Sequence, residues 1–185
     1  IIIDAEDDFS SMLKTMIQKM GPTVTIIKVT DFNIAKCAAD LYIPGPGPGN
    51  PLSTSNHKII QLRRIIQTLY NEKKPFFAEC LSHQILSHLL GFPIEKKETP
   101  FQGTQEKIDL FGNPEVVGFY NTFSAKKTHE ISTIEVSFDS TTADIFALKG
   151  PCFFSTQFHP ESILTPNGFQ IIQNGLLHLI ERAHF

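Results

Sequence analysis

Charge of either sign is scarce in this 185-residue sequence: charged residues make up 19%, and 16 basic against 19 acidic residues leave a net charge of -3. Without a basic excess there is no electrostatic footprint for nucleic acid or for an anionic membrane surface. No apolar run approaches the roughly 20 residues that a bilayer span requires. The opening Ile1–Ile3 is too short for a signal peptide, lacks a basic flank and runs straight into an acidic stretch. There are only three cysteines, Cys37, Cys80 and Cys152, and no Cys-x-x-Cys. They cannot all pair within the chain, so free thiols in a reducing cytoplasm are expected. No HExxH, GxGxxG or phosphate-loop pattern occurs, and there is no internal repeat or low-complexity tract. The missing initiator Met suggests a piece excised from something larger.

What remains is 41% hydrophobic residues, enough for the core of one domain over 1–185. The apolar opening reads as a short buried strand. A helix follows, with Asp8 or Ser10 as cap and Met12, Leu13, Met16, Ile17 and Met20 inward, stopped by Gly21-Pro22. Val24–Val29 and Asp40–Ile43 read as strands, and His57–Tyr70 has the apolar spacing of a helix. Pro75–Ala78 is a strand running into Cys80, and Leu81–Leu90 a helix closed by Gly91. Strand-like alternation dominates from Thr104 to Leu148, notably Val116–Tyr120, Thr133–Phe138 and Asp144–Leu148. Cys152–Phe158 is a last strand. Asn167–Ala183 is a closing helix, with Phe169, Ile171, Ile172, Leu176, Leu179 and Ile180 on or near its buried stripe. The order predicts an α/β fold: an open, twisted, mostly parallel sheet flanked by helices, with a small antiparallel elaboration.

Three segments carry chemistry. In Ala78-Glu79-Cys80-Leu81-Ser82-His83-Gln84 a strand enters a helix through one reactive residue, the nucleophile-elbow arrangement. So sharp a turn needs small neighbours two residues either side, and Ala78 and Ser82 comply. The helix start favours thiolate, and the Leu81 amide faces the place where an oxyanion would form. A cysteine alone is more often buried packing. In Gln157-Phe158-His159-Pro160-Glu161-Ser162, His159 can take the thiol proton and Glu161 can hold the ring tautomer. The zinc-deaminase reading of His-x-Glu needs a downstream Pro-Cys-x-x-Cys, and no cysteine follows Cys152. The third segment, Pro46-Gly47-Pro48-Gly49, is a Pro/Gly loop just after a strand, where glycine lets a backbone amide come close to an oxyanion.

In this order and spacing the three segments resemble the class I (triad) glutamine amidotransferases, over essentially the whole chain. The resemblance implies a triad of Cys80, His159 and Glu161, an oxyanion hole from the Gly47 and Leu81 amides, and glutamine contacts from Gly49, Gln84, Gln102, Thr122 and Phe123. It implies no metal and no cofactor for glutamine hydrolysis. It also implies a chorismate-binding synthase domain or subunit as partner, with Mg2+ and chorismate bound there.

Finer features, Gln102–Gln105, Ile108–Gly112 and Gly118–Phe123, are similar to the glutaminase portion of 2-amino-2-desoxyisochorismate synthases of phenazine pathways. Anthranilate and aminodeoxychorismate synthases are the nearest alternatives. A non-catalytic regulatory module and a γ-glutamyl or cysteine peptidase on the same scaffold are the rivals.

Two departures stand out: Ala78 and Ser82 replace the family's usual glycines, and Glu79 replaces an apolar residue. A carboxylate sharing the nucleophile's environment would oppose thiolate formation. Strand alternation would instead send Glu79 to the opposite face, toward a partner or a cation. His83 and His88, five apart, are a poor metal pair. His57 falls near a helix start, and His129, His178 and His184 read as surface or packing residues. Cys37 and Cys152 read as small apolar fillers, Lys96-Lys97 and Lys126-Lys127 as solvated charge.

Overall fold

The computed structural model describes residues 1–183, so His184 lies outside the described residues. In chain order the elements are β1 (Ile2–Asp4), α1 (Phe9–Lys19), β2 (Ile26–Lys28), β3 (Ile43–Pro44), α2 (His57–Asn71), β4 (Phe76–Glu79), α3 (Leu81–Leu89) and β5 (Ile94–Lys96). They continue with β6 (Thr104–Leu110), β7 (Asn113–Phe119), β8 (Phe123–Ala125), β9 (Glu135–Phe138), β10 (Ile145–Lys149), β11 (Phe153–Thr156) and α4 (Gly168–Ala183).

A parallel sheet of order β2-β1-β3 meets a second of order β4-β11-β10-β9 through a parallel bridge between Tyr42 and Phe76. β4 and β11 run parallel, pairing Phe76 with Phe153 and Glu79 with Thr156. β10 and β9 are antiparallel additions. Two antiparallel ribbons, β5-β8 and β6-β7, complete the elaboration. The expected α/β architecture therefore holds. Among the described residues no helix is long and apolar enough to cross a membrane.

Period-two alternation divides the core between the faces of the sheet. Ile3, Phe76 and Ala78 pack against α2 and α3 through Ile59, Leu62, Ile66, Leu81 and Ile85. Ile2 and Phe77 pack on the other face against α1 and α4 through Leu13, Ile17, Ile172 and Leu176. Burying a side chain of this size contributes about 1.5–3 kcal/mol each, so the strands hold their register strongly.

Several expectations need correction. The strand expected over 24–29 shrinks to β2, because its one partner β1 has three residues to pair. The strand expected over 40–43 shrinks to β3. Neither Asp8 nor Ser10 caps α1. Asp8 is already helical with no side-chain cap, while Asp7 accepts from the Phe9 N–H at 2.9 Å. The Ser10 hydroxyl donates instead to Asp4 at 2.7 Å. Met12, Phe169 and Ile180 are exposed, because neighbouring elements cover only a stripe of α1 and of α4. Lys97 and Lys126 are not solvated charge: both grip Asp144, at 2.6 and 2.7 Å, and Lys127 pairs with Glu130. The lysines, with the Ser124 hydroxyl, outweigh the burial of Asp144 and hold its carboxyl below the usual range. Cys37 and Cys152 are free and pack beside the core, and burial pushes the Cys152 thiol up.

Candidate active site

β4 delivers its last residue, fully buried, to a turn in which Cys80 takes φ 49° and ψ -103°. That left-handed conformation is rare for a residue with a Cβ and is characteristic of strained functional turns. Two bonds hold it. The Cys80 N–H donates to the Thr156 carbonyl at 2.8 Å, and the Gln84 N–H closes the first helical turn onto the Cys80 carbonyl at 3.0 Å. Ser82, in place of the family's glycine, fits because its hydroxyl is used: it donates to the buried Gly45 carbonyl at 2.8 Å. That bond ties the elbow to the Pro/Gly loop. In the loop, Gly47 lies so close to β1 that a Cβ would stand 2.2 Å from the Ala5 carbonyl oxygen, so no other residue fits.

The segment after β11 brings His159 to the nucleophile. Its N–H donates to the Gly118 carbonyl at 3.0 Å, and its carbonyl accepts from the Thr165 hydroxyl at 2.7 Å. The ring is held between Phe9, centroid at 4.6 Å, and Tyr120, edge-on at 5.1 Å. Its Nδ1 lies 2.8 Å from Glu161 Oε1, which selects the tautomer with Nε2 toward the sulfur. Burial alone would lower the basicity of His159. The Cys80 sulfur beside it, with Glu161 and Glu79, outweighs burial and holds its pKa well above the ordinary value.

A cavity of about 550 Å³ opens over this cluster. It is lined by Cys80 and His159, by both expected oxyanion residues, Gly47 and Leu81, and by all five expected glutamine contacts, Gly49, Gln84, Gln102, Thr122 and Phe123. Leu81 begins α3, where amides have no intrahelical partner. Glu161 stands behind His159, buried. Some contacts are organised differently from expectation. The Gln84 amide donates to the Phe123 carbonyl at 2.7 Å and to Gln157 Oε1 at 3.0 Å, leaving its own oxygen as the group it can offer to a ligand. The Phe123 carbonyl also accepts from Asn121, and the Thr122 carbonyl from the Lys97 N–H. Burial raises the Asp7 carboxyl at the cavity edge, against the Phe9 N–H bond that lowers it.

Sequence reasoning missed Phe9, Tyr120 and Gln157. Gln157 Nε2 lies 3.8 Å from Cys80 Sγ. It opens the Gln157–Ser162 segment and Tyr120 falls inside Gly118–Phe123, while Phe9 lies between the two expected caps of the first helix. Glu79 meets part of each expectation: it lies on the face that alternation assigns, and it shares the nucleophile's surroundings through His159. Its carboxyl is fully buried, and Oε1 lies 3.2 Å from His159 Nδ1. Alternation does put Glu79 on the Phe77 face, but the loop after β11 crosses the sheet end and brings His159 and Glu161 over that same face. Burial, then the charge of Glu161, pushes the Glu79 carboxyl well above its ordinary value. Glu79, His159 and Glu161 bring nitrogen and carboxylate oxygens within 4.8 Å of one another. The Nδ1–H is already directed at Glu161, however, and both carboxyls are buried behind the imidazole, so the trio acts as a support for His159.

Three other histidines have structural contacts. His83 is buried against the Ser155 hydroxyl at 2.9 Å, and burial lowers its pKa to about 3. His129 stacks on Phe92, and His178 Nε2 lies 2.8 Å from the Gly150 carbonyl oxygen.

Known proteins share this architecture. A glutamine amidotransferase from Thermotoga maritima superposes with a TM-score of 0.64 over 92% of this chain and 90% of its own, at 13% identity. The phenazine-specific anthranilate synthase of Pseudomonas fluorescens is 46% identical over 97% of this chain, which spans only 29% of that relative's length. Component 2 of the anthranilate synthase of Archaeoglobus fulgidus is 24% identical over 100% of this chain and 98% of its own. Residues 1–179 match the family described as Glutamine amidotransferase class-I. With a cysteine elbow, a buried His-Glu pair and that match along nearly its whole length, the chain belongs to the class I glutamine amidotransferase family.

Proposed function

We propose that this domain hydrolyses glutamine and passes the ammonia to a chorismate-utilising synthase domain or subunit, most specifically one making 2-amino-2-desoxyisochorismate for phenazines. The observation that carries the reading is Cys80, in its strained turn, facing a cavity shared with His159, which Glu161 orients from behind at 2.8 Å. Cys80 Sγ attacks the side-chain amide carbon of glutamine, and its proton passes to His159 Nε2. The Gly47 and Leu81 amides hold the oxyanion of the tetrahedral intermediate. His159 then protonates the departing nitrogen, ammonia leaves, and a glutamyl thioester remains. Water, losing a proton to His159, attacks that thioester, and glutamate departs as the sulfur regains its proton. The acceptor follows the 46% identity to the phenazine-specific relative. Mg2+ and chorismate would be bound by the synthase portion, and the glutaminase half-reaction needs no cofactor.

The test is ammonia release from glutamine with the synthase present. Cys80→Ser should lower it by at least about a thousandfold. A glutamine-analogue electrophile should label Cys80 in the unsubstituted chain. No adduct and no ammonia would overturn the reading, and cleavage of γ-glutamyl peptides in preference to glutamine would replace it with the peptidase alternative.

A further inference from the structure

The Glu79–Glu161 pair is incomplete as two carboxylates. Glu79 is fully buried at the end of β4, and Glu161 is 3% exposed in the loop after β11. Both oxygens of Glu79 and Oε2 of Glu161 are buried without a hydrogen-bond partner. Such groups are rare in folded proteins, and each calls for a physical reason. The imidazole offers one hydrogen at Nδ1, which points at Glu161 Oε1. Glu79 Oε1 at 3.2 Å shares the electrostatic attraction but receives no hydrogen bond. The two carboxyl groups and the imidazole each bring an atom within 4.8 Å of the others, yet two ionised carboxylates are acceptors only.

The groups facing this pair are few. His159 is the cation within ion-pair reach of Glu79 among the described residues. Asp7, at the start of α1, adds a further acid on the His159 side, and Cys80 lies across the imidazole. Once the Cys80 proton has passed to His159, as glutamine hydrolysis requires, two ionised carboxylates would leave this buried cluster with two uncompensated negative charges. One hydrogen between them halves that and gives the orphaned oxygens a partner, as in other buried carboxyl pairs that share a proton.

We propose that Glu79 is a positioning residue for the triad: its carboxyl is neutral and donates its hydrogen to Glu161, so that the pair presents a single negative charge to His159. The raised proton affinity of Glu79 agrees with this. Glu161 is then pinned from both sides, by Nδ1–H at one oxygen and by Glu79 at the other, and keeps the imidazole aligned on Cys80. A second full charge would hold the imidazolium too firmly for it to protonate the leaving ammonia, and would oppose the thiolate. The neutral acid avoids both effects.

The proposal rests on the glutaminase reading, and two measurements separate their failures. The first is the infrared difference spectrum of the chain assembled with its synthase, unsubstituted minus Glu79→Gln, at neutral pH. A protonated-carboxyl carbonyl band should be present and should vanish in the variant; its absence overturns the proposal whatever the activity. The second is the pH profile of glutamine hydrolysis. Glu79→Gln, which keeps a neutral donor, should stay within about threefold of the unsubstituted kcat at neutral pH. Glu79→Val, which leaves Glu161 Oε2 unpaired, should lose about tenfold in kcat with KM nearly unchanged and a displaced profile. A Gln variant as impaired as the Val variant would show that charge is required, and an unaltered Val variant that Glu79 has no role; either sinks the idea. Loss of ammonia release by the unsubstituted chain would instead overturn the glutaminase reading and leave the infrared result standing.

Discussion

Between Gln84 and Cys80 stands the Gln157 side chain, accepting from the first at 3.0 Å and 3.8 Å from the sulfur of the second. It is buried, so its amide has no water to turn to. Through Gln84 it is also linked to the Phe123 carbonyl at the cavity wall. A donor beside the sulfur favours thiolate, and an acceptor for Gln84 fixes which group that residue shows to a ligand. Gln157→Leu removes both while keeping the volume. The expected outcome is a loss of about 1–3 kcal/mol from the unpaired Gln84 donor and a fall of about tenfold in kcat/KM, with KM raised. Urea unfolding and steady-state kinetics check the two parts separately. A variant that lost stability alone would restrict Gln157 to packing.

At the scale of elements, the site depends on where α4 begins. A Cβ on Gly168 would stand 1.6 Å from the Pro160 carbonyl oxygen, so the helix start lies directly on the segment joining His159 to Glu161. Alanine is the better helix former by about 1 kcal/mol, and by propensity alone Gly168→Ala should stabilise. The close approach reverses the sign. The expected result is destabilisation of about 1–3 kcal/mol and a kcat lowered about tenfold, because displacing Pro160 moves the base from the nucleophile. Denaturant unfolding together with glutaminase rates decides it, and a more stable variant with full activity would refute the coupling. The elbow was legible in the sequence because its requirements are local: a reactive residue, small neighbours, a strand before and a helix after. The direction of Glu79 was not. Alternation assigns it a face correctly, but which loop arrives over that face depends on β11 pairing with β4 and on the turn at Pro160. Lys97 and Lys126 were misread for the same reason. They lie far in sequence from Asp144, and only the packing of β8 against the β9–β10 corner brings them to it.

For the whole molecule these groups set how stability varies with pH. Asp144, held below its ordinary value of 3.8 by its lysines, contributes stability above that pH and loses it as pH falls through the folded value. Glu79 works in the other direction. Unfolded, it gives up its proton near 4.5; folded, it keeps it well above that pH, so folding takes up a proton and stability falls as pH rises. His159, raised above 6.5, adds to the same trend, since the stability it contributes below 6.5 is lost as pH rises through its folded value. The chain should therefore be most stable in mild acid. Glu79→Gln removes the Glu79 share of the alkaline loss and leaves in place the acid limb, set by Asp144 and by His83, whose pKa, lowered to about 3, takes away stability as pH falls below 6.5. From about pH 4.5 upward the variant should gain on the unsubstituted chain by up to about 1.4 kcal/mol for each pH unit, levelling off once folded Glu79 itself ionises. Urea unfolding across a pH series measures the gap. Two curves that stay parallel from acid to base would mean that Glu79 folds as a carboxylate, and would remove the neutral acid from the account of the site.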